Sequence, residues 1–146
     1  MKTVSATIEI DATPAEVWAV LTDLASYPQW NPLFPEASGD LAAGNKITLK
    51  SRPSAGRPMT IRPTIVTAQP GVELRWIARL PGIISGEHAF TLTPSSGGTS
   101  LQQSETFGGL LASFAGKTIA SAEGDFRTLN EAIKTRTEEL LGPRRD

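Results

Sequence analysis

The chain holds a single histidine, His88, on an alternating stretch with Phe90 and Leu92. A second alternating stretch carries Gln103 and Glu105 between Leu101 and Phe107. A histidine beside a carboxylate is equipped for general acid–base work, because imidazole changes charge near neutrality and the carboxylate can hold or pass its proton. On a carbonyl or enol, His88 would be the base. The same pair could instead orient the polar end of a bound molecule, or simply order a pocket as a satisfied structural pair. Other chemistries lack their parts. Ser85 and Ser104 have no nucleophile-elbow context. Gly108-Gly109 precedes a helical pattern without a phosphate-loop lysine. One histidine, no cysteine and scattered carboxylates leave no usual zinc site, so neither a metal nor a cofactor is expected.

Strand register decides whether these residues meet. If the hairpin at Ser95-Ser96-Gly97-Gly98 pairs Leu92 with Leu101, Phe90 faces Gln103 and His88 faces Glu105, since antiparallel partners keep a constant index sum. If the turn at Pro81-Gly82-Ile83 pairs Leu80 with Ile84, Trp76 faces His88. A row Trp76–His88–Glu105 is therefore predicted on the apolar face of the sheet. A slip of one residue would destroy it.

The elements that hold this row can be read from periodicity. Val4, Ala6, Ile8 and Ile10 alternate with polar residues, as in a half-buried strand. Thr13-Pro14-Ala15-Glu16 reads as a capping box with proline at the first helical position. Val17, Trp18, Leu21 and Leu24 continue at helical spacing, and that helix should stop before Tyr27-Pro28. Gln29-Trp30-Asn31-Pro32 reads as a turn or one short helical turn. About six strands follow between residues 36 and 107. They include Lys46–Arg52, a stretch with Met59, Ile61, Pro63 and Ile65 on one face, and Glu73–Leu80. Pro63 cannot donate to a ladder and belongs at an edge or bulge. From Leu110 to Leu141 the period is helical, with Leu111, Phe114, Thr118, Ala122, Phe126, Leu129, Ile133 and Leu140 in one stripe. Gly142-Pro143 ends it. Residues 1–141 are expected to form one domain, with 142–146 as a tail.

Composition narrows the function classes. The 146 residues include 14 Lys+Arg and 15 Asp+Glu, a net charge of −1, which gives no global electrostatic case for nucleic acid. The absence of cysteine removes disulfide scaffolds and thiol chemistry. No apolar run approaches ~18 residues and no signal-peptide core opens the chain, so a cytoplasmic protein without a transmembrane segment is expected. Seven bases fall within residues 46–79 (Lys46, Lys50, Arg52, Arg57, Arg62, Arg75, Arg79) against Glu73 alone. They read as the solvated face of a sheet, or as a surface for an acidic partner.

Three stretches carry a resemblance. Asp11-Ala12-Thr13-Pro14-Ala15-Glu16-Val17-Trp18, Tyr27-Pro28-Gln29-Trp30-Asn31-Pro32 and Gly86-Glu87-His88-Ala89-Phe90-Thr91-Leu92 resemble polyketide cyclase/dehydrase-type members of the START and pollen-allergen-like (SRPBCC) superfamily. The element order is similar over nearly the whole chain. The resemblance implies an α+β helix-grip fold. In that fold a curved antiparallel sheet wraps round a long C-terminal helix, with two short helices after the first strand and a hydrophobic cavity between sheet and helix. Members bind lipids, polyketides, steroids or other apolar molecules, and some catalyse cyclisation or dehydration.

On this reading the partner is a small hydrophobic ligand of lipid, polyketide or aromatic type. Its candidate contacts are Trp30, Phe34, Trp76, His88, Phe90, Gln103, Glu105, Phe107, Leu111 and Phe114. Trp30 and Trp76 would be walls or ordinary core. Phe34 is placed on a flap over the cavity mouth, and Leu111 and Phe114 at a gate between Gly108-Gly109 and Gly116. Two alternatives stay open: a cyclase- or dehydratase-like enzyme using His88 and Glu105, and a protein-interaction module using the basic strands.

Overall fold

Alternation builds the first strand, β1 (Lys2–Ile10), in which Val4, Ala6, Ile8 and Ile10 turn toward the core. The computed structural model describes residues 2–80, 84–109 and 116–142. Helix α1 (Pro14–Thr22) starts with the predicted capping box: the Thr13 hydroxyl accepts from Glu16 N at 3.2 Å, and Thr13 N donates to the Glu16 carboxylate at 2.8 Å. Thr13→Ala should cost about 1 kcal/mol, because the Glu16 N–H loses its hydroxyl acceptor. A urea midpoint unchanged by the substitution would show that the cap contributes nothing.

The first helix does stop before Tyr27-Pro28. Asp23 closes it, and a separate 3₁₀ helix (Leu24–Gln29) takes in Tyr27 and Pro28. The tighter i to i+3 bonding lets a short turn accommodate a proline that an α-helical interior would reject. Tyr27 is buried, its hydroxyl donates to Leu21 O, and burial first, then the Asp23 charge, pushes its pKa well above the usual phenol range.

Seven strands follow, and they form two sheets rather than one meander. The smaller joins β2 (Glu36–Ser38), β3 (Thr48–Ser51) and β4 (Met59–Ile61). The larger has the order β1-β8-β7-β6-β5, with β5 (Thr64–Gln69), β6 (Glu73–Leu80), β7 (Ile84–Ser95) and β8 (Gly98–Gly108), every neighbour antiparallel. The stretch expected to run from Met59 through Ile65 breaks at Arg62-Pro63. Pro63 has no N–H for a ladder, but its carbonyl accepts from Ile47 N at 3.0 Å, and a Lys46–Thr64 bridge ties the two sheets together. The register of β5 then shifts between Ile65 and Thr67. Met59, expected on the apolar face, is 52% exposed at the end of the small sheet.

The long helix α2 (Gly116–Leu141) lies across β1 and β8, so the curved sheet and helix make the α+β helix-grip arrangement. Ala122, Phe126, Leu129 and Ile133 face the sheet as the stripe requires. Leu140 does not: it is 63% exposed, and Thr137 occupies the buried position near that end, its hydroxyl donating to Ile133 O at 2.6 Å. The β7–β8 hairpin closes tightly against β1. A Cβ on Gly98 would stand 2.1 Å from Ile10 O, so no larger residue fits there. No helix among the described residues is long and apolar enough to cross a membrane.

Candidate ligand site

Turn lengths set the register, and the register assembles the row. Trp76 pairs with His88, and His88 with Glu105. The neighbouring strands extend the row to Ile65 on β5 and Val4 on β1. Trp76 is 2% and His88 1% exposed. The Trp76 ring stacks on the imidazole at 5.3 Å with planes 22° apart. Phe90 lies 4.7 Å from it, and the rings of Phe126 and Phe34 approach near-perpendicular at 4.9 and 5.9 Å. Four aromatic rings therefore surround one polar ring.

The imidazole is tied into a chain of buried hydrogen bonds whose direction can be fixed. Asn130 on α2 donates through Nδ2 to Ala6 O at 3.1 Å. A backbone carbonyl can only accept, so Asn130 Oδ1 is left as an acceptor and takes Gln103 Nε2 at 2.8 Å. Gln103 Nε2 also donates to Phe126 O at 3.3 Å. Gln103 Oε1 thus faces His88 Nε2 at 2.9 Å, and Nε2 is the donor. The other ring nitrogen, Nδ1, stands 3.4 Å from Glu105 Oε1. No described buried side-chain nitrogen or oxygen lacks a partner.

Beside this closed row the inner face becomes less bulky. The next row across the sheet is Ala78–Gly86–Phe107. Phe107 is buried, whereas Ala78 and Gly86 are half-buried. The Glu105 side chain, 21% exposed, reaches over Gly86, where an added Cβ would meet Oε1 at 3.3 Å. An apolar wall, two small residues and a partly open carboxylate thus meet at one end of the sheet.

The structure separates the other candidates. Phe34 is buried in contact with Trp76 and His88 instead of standing on a flap. Asn31 explains why: its buried Oδ1 accepts from Leu33 N at 3.0 Å and Phe34 N at 2.7 Å, which pins the segment inward. Trp30 is not brought to the row. It packs edge-on against Tyr27 and lines a separate surface depression of about 300 Å³ with Val20, Arg136 and Leu140. Leu111 and Phe114, with the proposed gate, lie outside the described residues. Sequence reading missed Asn130, although a polar residue between Leu129 and Ile133 on the core side of the helix was a signal. It also missed Ala78 and Gly86, the small residues in line with Phe107.

The sequence profile of a family described as polyketide cyclase/dehydrase and lipid transport matches residues 1–138. This chain belongs to that family. No curated protein sequence matches it. Among solved structures, TTHA0849 from Thermus thermophilus superposes with a TM-score of 0.76 at 13% identity, covering 97% of this chain and 100% of that one. A START superfamily protein from Mycobacterium smegmatis gives 0.69 at 20% identity over 94% and 98%. The di-domain ARO/CYC StfQ of the steffimycin biosynthetic pathway gives 0.70 at 15% identity, with 97% of this chain matched to 52% of that one. At these identities the likeness is one of fold.

In this polyketide cyclase/dehydrase family member the central bases lie away from the row. Lys50 pairs with Glu36 at 2.9 Å, both exposed. Arg75 bridges Glu73 at 2.6 Å and Glu87 at 3.2 Å, and the bond to Glu73 contributes most to raising its already high pKa. Lys46, Arg52, Arg57, Arg62 and Arg79 are exposed. Among the described residues no group of three or more His, Asp or Glu gathers as a metal site.

Proposed function

We propose that the chain binds a small apolar molecule on the inner face of its large sheet. The ligand would rest on Ala78 and Gly86, against Trp76 and Phe107, with its polar end at His88 and Glu105. The observation that carries this reading is the abrupt loss of bulk beside the buried row, with a carboxylate left partly open above Gly86. An apolar wall with a few convergent polar groups suits small-molecule binding. The family's description is consistent with it.

Nile red, a neutral apolar dye, tests the reading. Its fluorescence should rise on titration with the protein. Gly86→Val should weaken this binding about tenfold by filling the floor, which corresponds to ~1.4 kcal/mol. The variant should stay folded, because valine is a better strand residue than glycine. No binding by the unaltered protein would end the proposal. So would a Gly86→Val variant that binds as well while keeping its circular dichroism spectrum.

The His88–Glu105 contact also supports a second reading, acid–base catalysis of cyclisation or dehydration. It requires turnover of a β-hydroxy carbonyl or poly-β-keto compound, and loss of that turnover in Glu105→Gln.

A further inference from the structure

The net charge of −1 hides a polarised surface. Residues 46–79 hold seven bases and one acid, and the rest of the chain seven bases and fourteen acids. Folding puts most of the central bases on one side of the sheets. Lys46 pairs with Thr64 at the same index sum that sets Lys50 against Thr60, so a single ladder runs from the large sheet into the small one, and these four residues share a face. Thr64 in turn pairs with Ile77 on β6, and Arg75 and Arg79 stand two residues to either side of Ile77. This face is the reverse of the one that carries Trp76 and His88. Arg62 lies in the ladder between Thr60 and Thr64. Lys46, Arg52, Arg57, Arg62 and Arg79 are exposed, and among the described residues none of them has an ion pair or a side-chain hydrogen bond. Glu36, Glu73 and Glu87 are taken up by Lys50 and Arg75.

Five unpaired cations strung along a sheet and its hairpin fit a partner whose negative charge is itself spread out. Two observations favour a bilayer. Met59 is largely exposed at the hairpin end, close to Arg57, and with Lys50, Arg52 and Pro58 it borders a hollow of about 330 Å³. An apolar side chain among arginines suits the headgroup boundary, where the thioether enters the acyl region and the guanidinium groups stay on phosphates. Trp76 is the only aromatic residue from Lys46 to Leu80, and it is buried. The face therefore lacks the exposed aromatic anchors that protein interfaces and single-stranded nucleic acids use.

We infer that this cationic face docks the protein on an anionic lipid bilayer. Each base held near such a surface strengthens binding about fivefold. The acids elsewhere on the chain are repelled and orient the approach. Arg79 directly follows Ala78, so docking also brings the open end of the apolar site beside the headgroups. That last step rests on the apolar-binding reading above, whereas the docking stands without it.

Co-sedimentation with vesicles tests the inference. The protein should bind vesicles of equal parts phosphatidylglycerol and phosphatidylcholine roughly tenfold or more tightly than vesicles of phosphatidylcholine alone, and rising salt should release it. Arg62→Gln combined with Arg79→Gln should weaken that binding about 25-fold, with an unchanged circular dichroism spectrum because both side chains are exposed and unpaired. Met59→Ser should weaken it severalfold. Arg136→Gln, near the other end of α2, should bind the vesicles as the unaltered protein does. Nile red carried by the protein should pass to the mixed vesicles faster than to the neutral ones.

Equal binding to the two kinds of vesicle overturns the docking, and so does an equal loss in Arg136→Gln and in the arginine pair. Binding of poly-glutamate as tight as that of the mixed vesicles, with Met59→Ser sedimenting unchanged, also overturns it and assigns the face to an acidic protein. Equal rates of dye transfer overturn only the placement of the open end. Failure of the dye to bind at all counts against the apolar-binding reading alone, since the sedimentation measurements need no dye.

Discussion

Trp76→Ala should lower the stability of the protein by about 3–5 kcal/mol, the usual cost of emptying a large aromatic site in a core. Trp76 is among the largest fully buried side chains and stands on β6, between β7 and β5 of the five-stranded sheet. Its ring touches Phe34, His88 and Phe90 at 5.7, 5.3 and 5.4 Å between centroids. Phe34 comes from the segment before β2 and His88 and Phe90 from β7, and each makes other contacts that it would give up by moving into the gap. At this chain length each kcal/mol is worth roughly 2–4 °C, and the thermal midpoint should fall by about 10 °C or more. Met59→Ala is the control: the side chain is largely exposed and its removal should stay within ~0.5 kcal/mol. Comparable losses in the two variants, read from urea unfolding, would mean that the aromatic cluster does not hold the sheet and helix together.

Breaking the buried amide pair should cost about 2–4 kcal/mol at either position, because each truncation strands buried polar partners. Asn130→Leu leaves Ala6 O without its side-chain donor and Gln103 Nε2 without one acceptor. Gln103→Leu leaves His88 Nε2 and Asn130 Oδ1 without their partners. Since the two residues share a bond, the double variant should be less destabilised than the two single losses together, by about 1–3 kcal/mol. This pair is also the polar link between α2 and the centre of the sheet, so its loss should raise amide exchange in α2 around Asn130. Additive losses from a full double-mutant cycle would show that the amides do not act as one network. The direction assigned to the chain of bonds at His88 would then lose its support.

The local order of this protein was legible in its residues alone. Alternation with period two fixed which residues of β1, β6, β7 and β8 share a face. Short turns fixed the index sums that set Leu92 against Leu101, Trp76 against His88 and His88 against Glu105. Both signals act over a few residues, so they survive without knowledge of the rest of the chain. The capping box at Thr13–Glu16 was legible for the same reason.

What closes over the row depends on long-range packing. Phe34, Phe126, Asn130 and the Ala6 carbonyl converge on His88 and Gln103 from segments far apart in the chain. Their meeting depends on sheet curvature and on where α2 crosses it, neither of which leaves a period in the sequence. The same reason accounts for Trp30 lying in a separate surface depression and for Leu140 facing solvent while Thr137 is buried. Periodicity reports that a residue lies on an apolar face; how far along its length that face stays covered is set by the element packed against it.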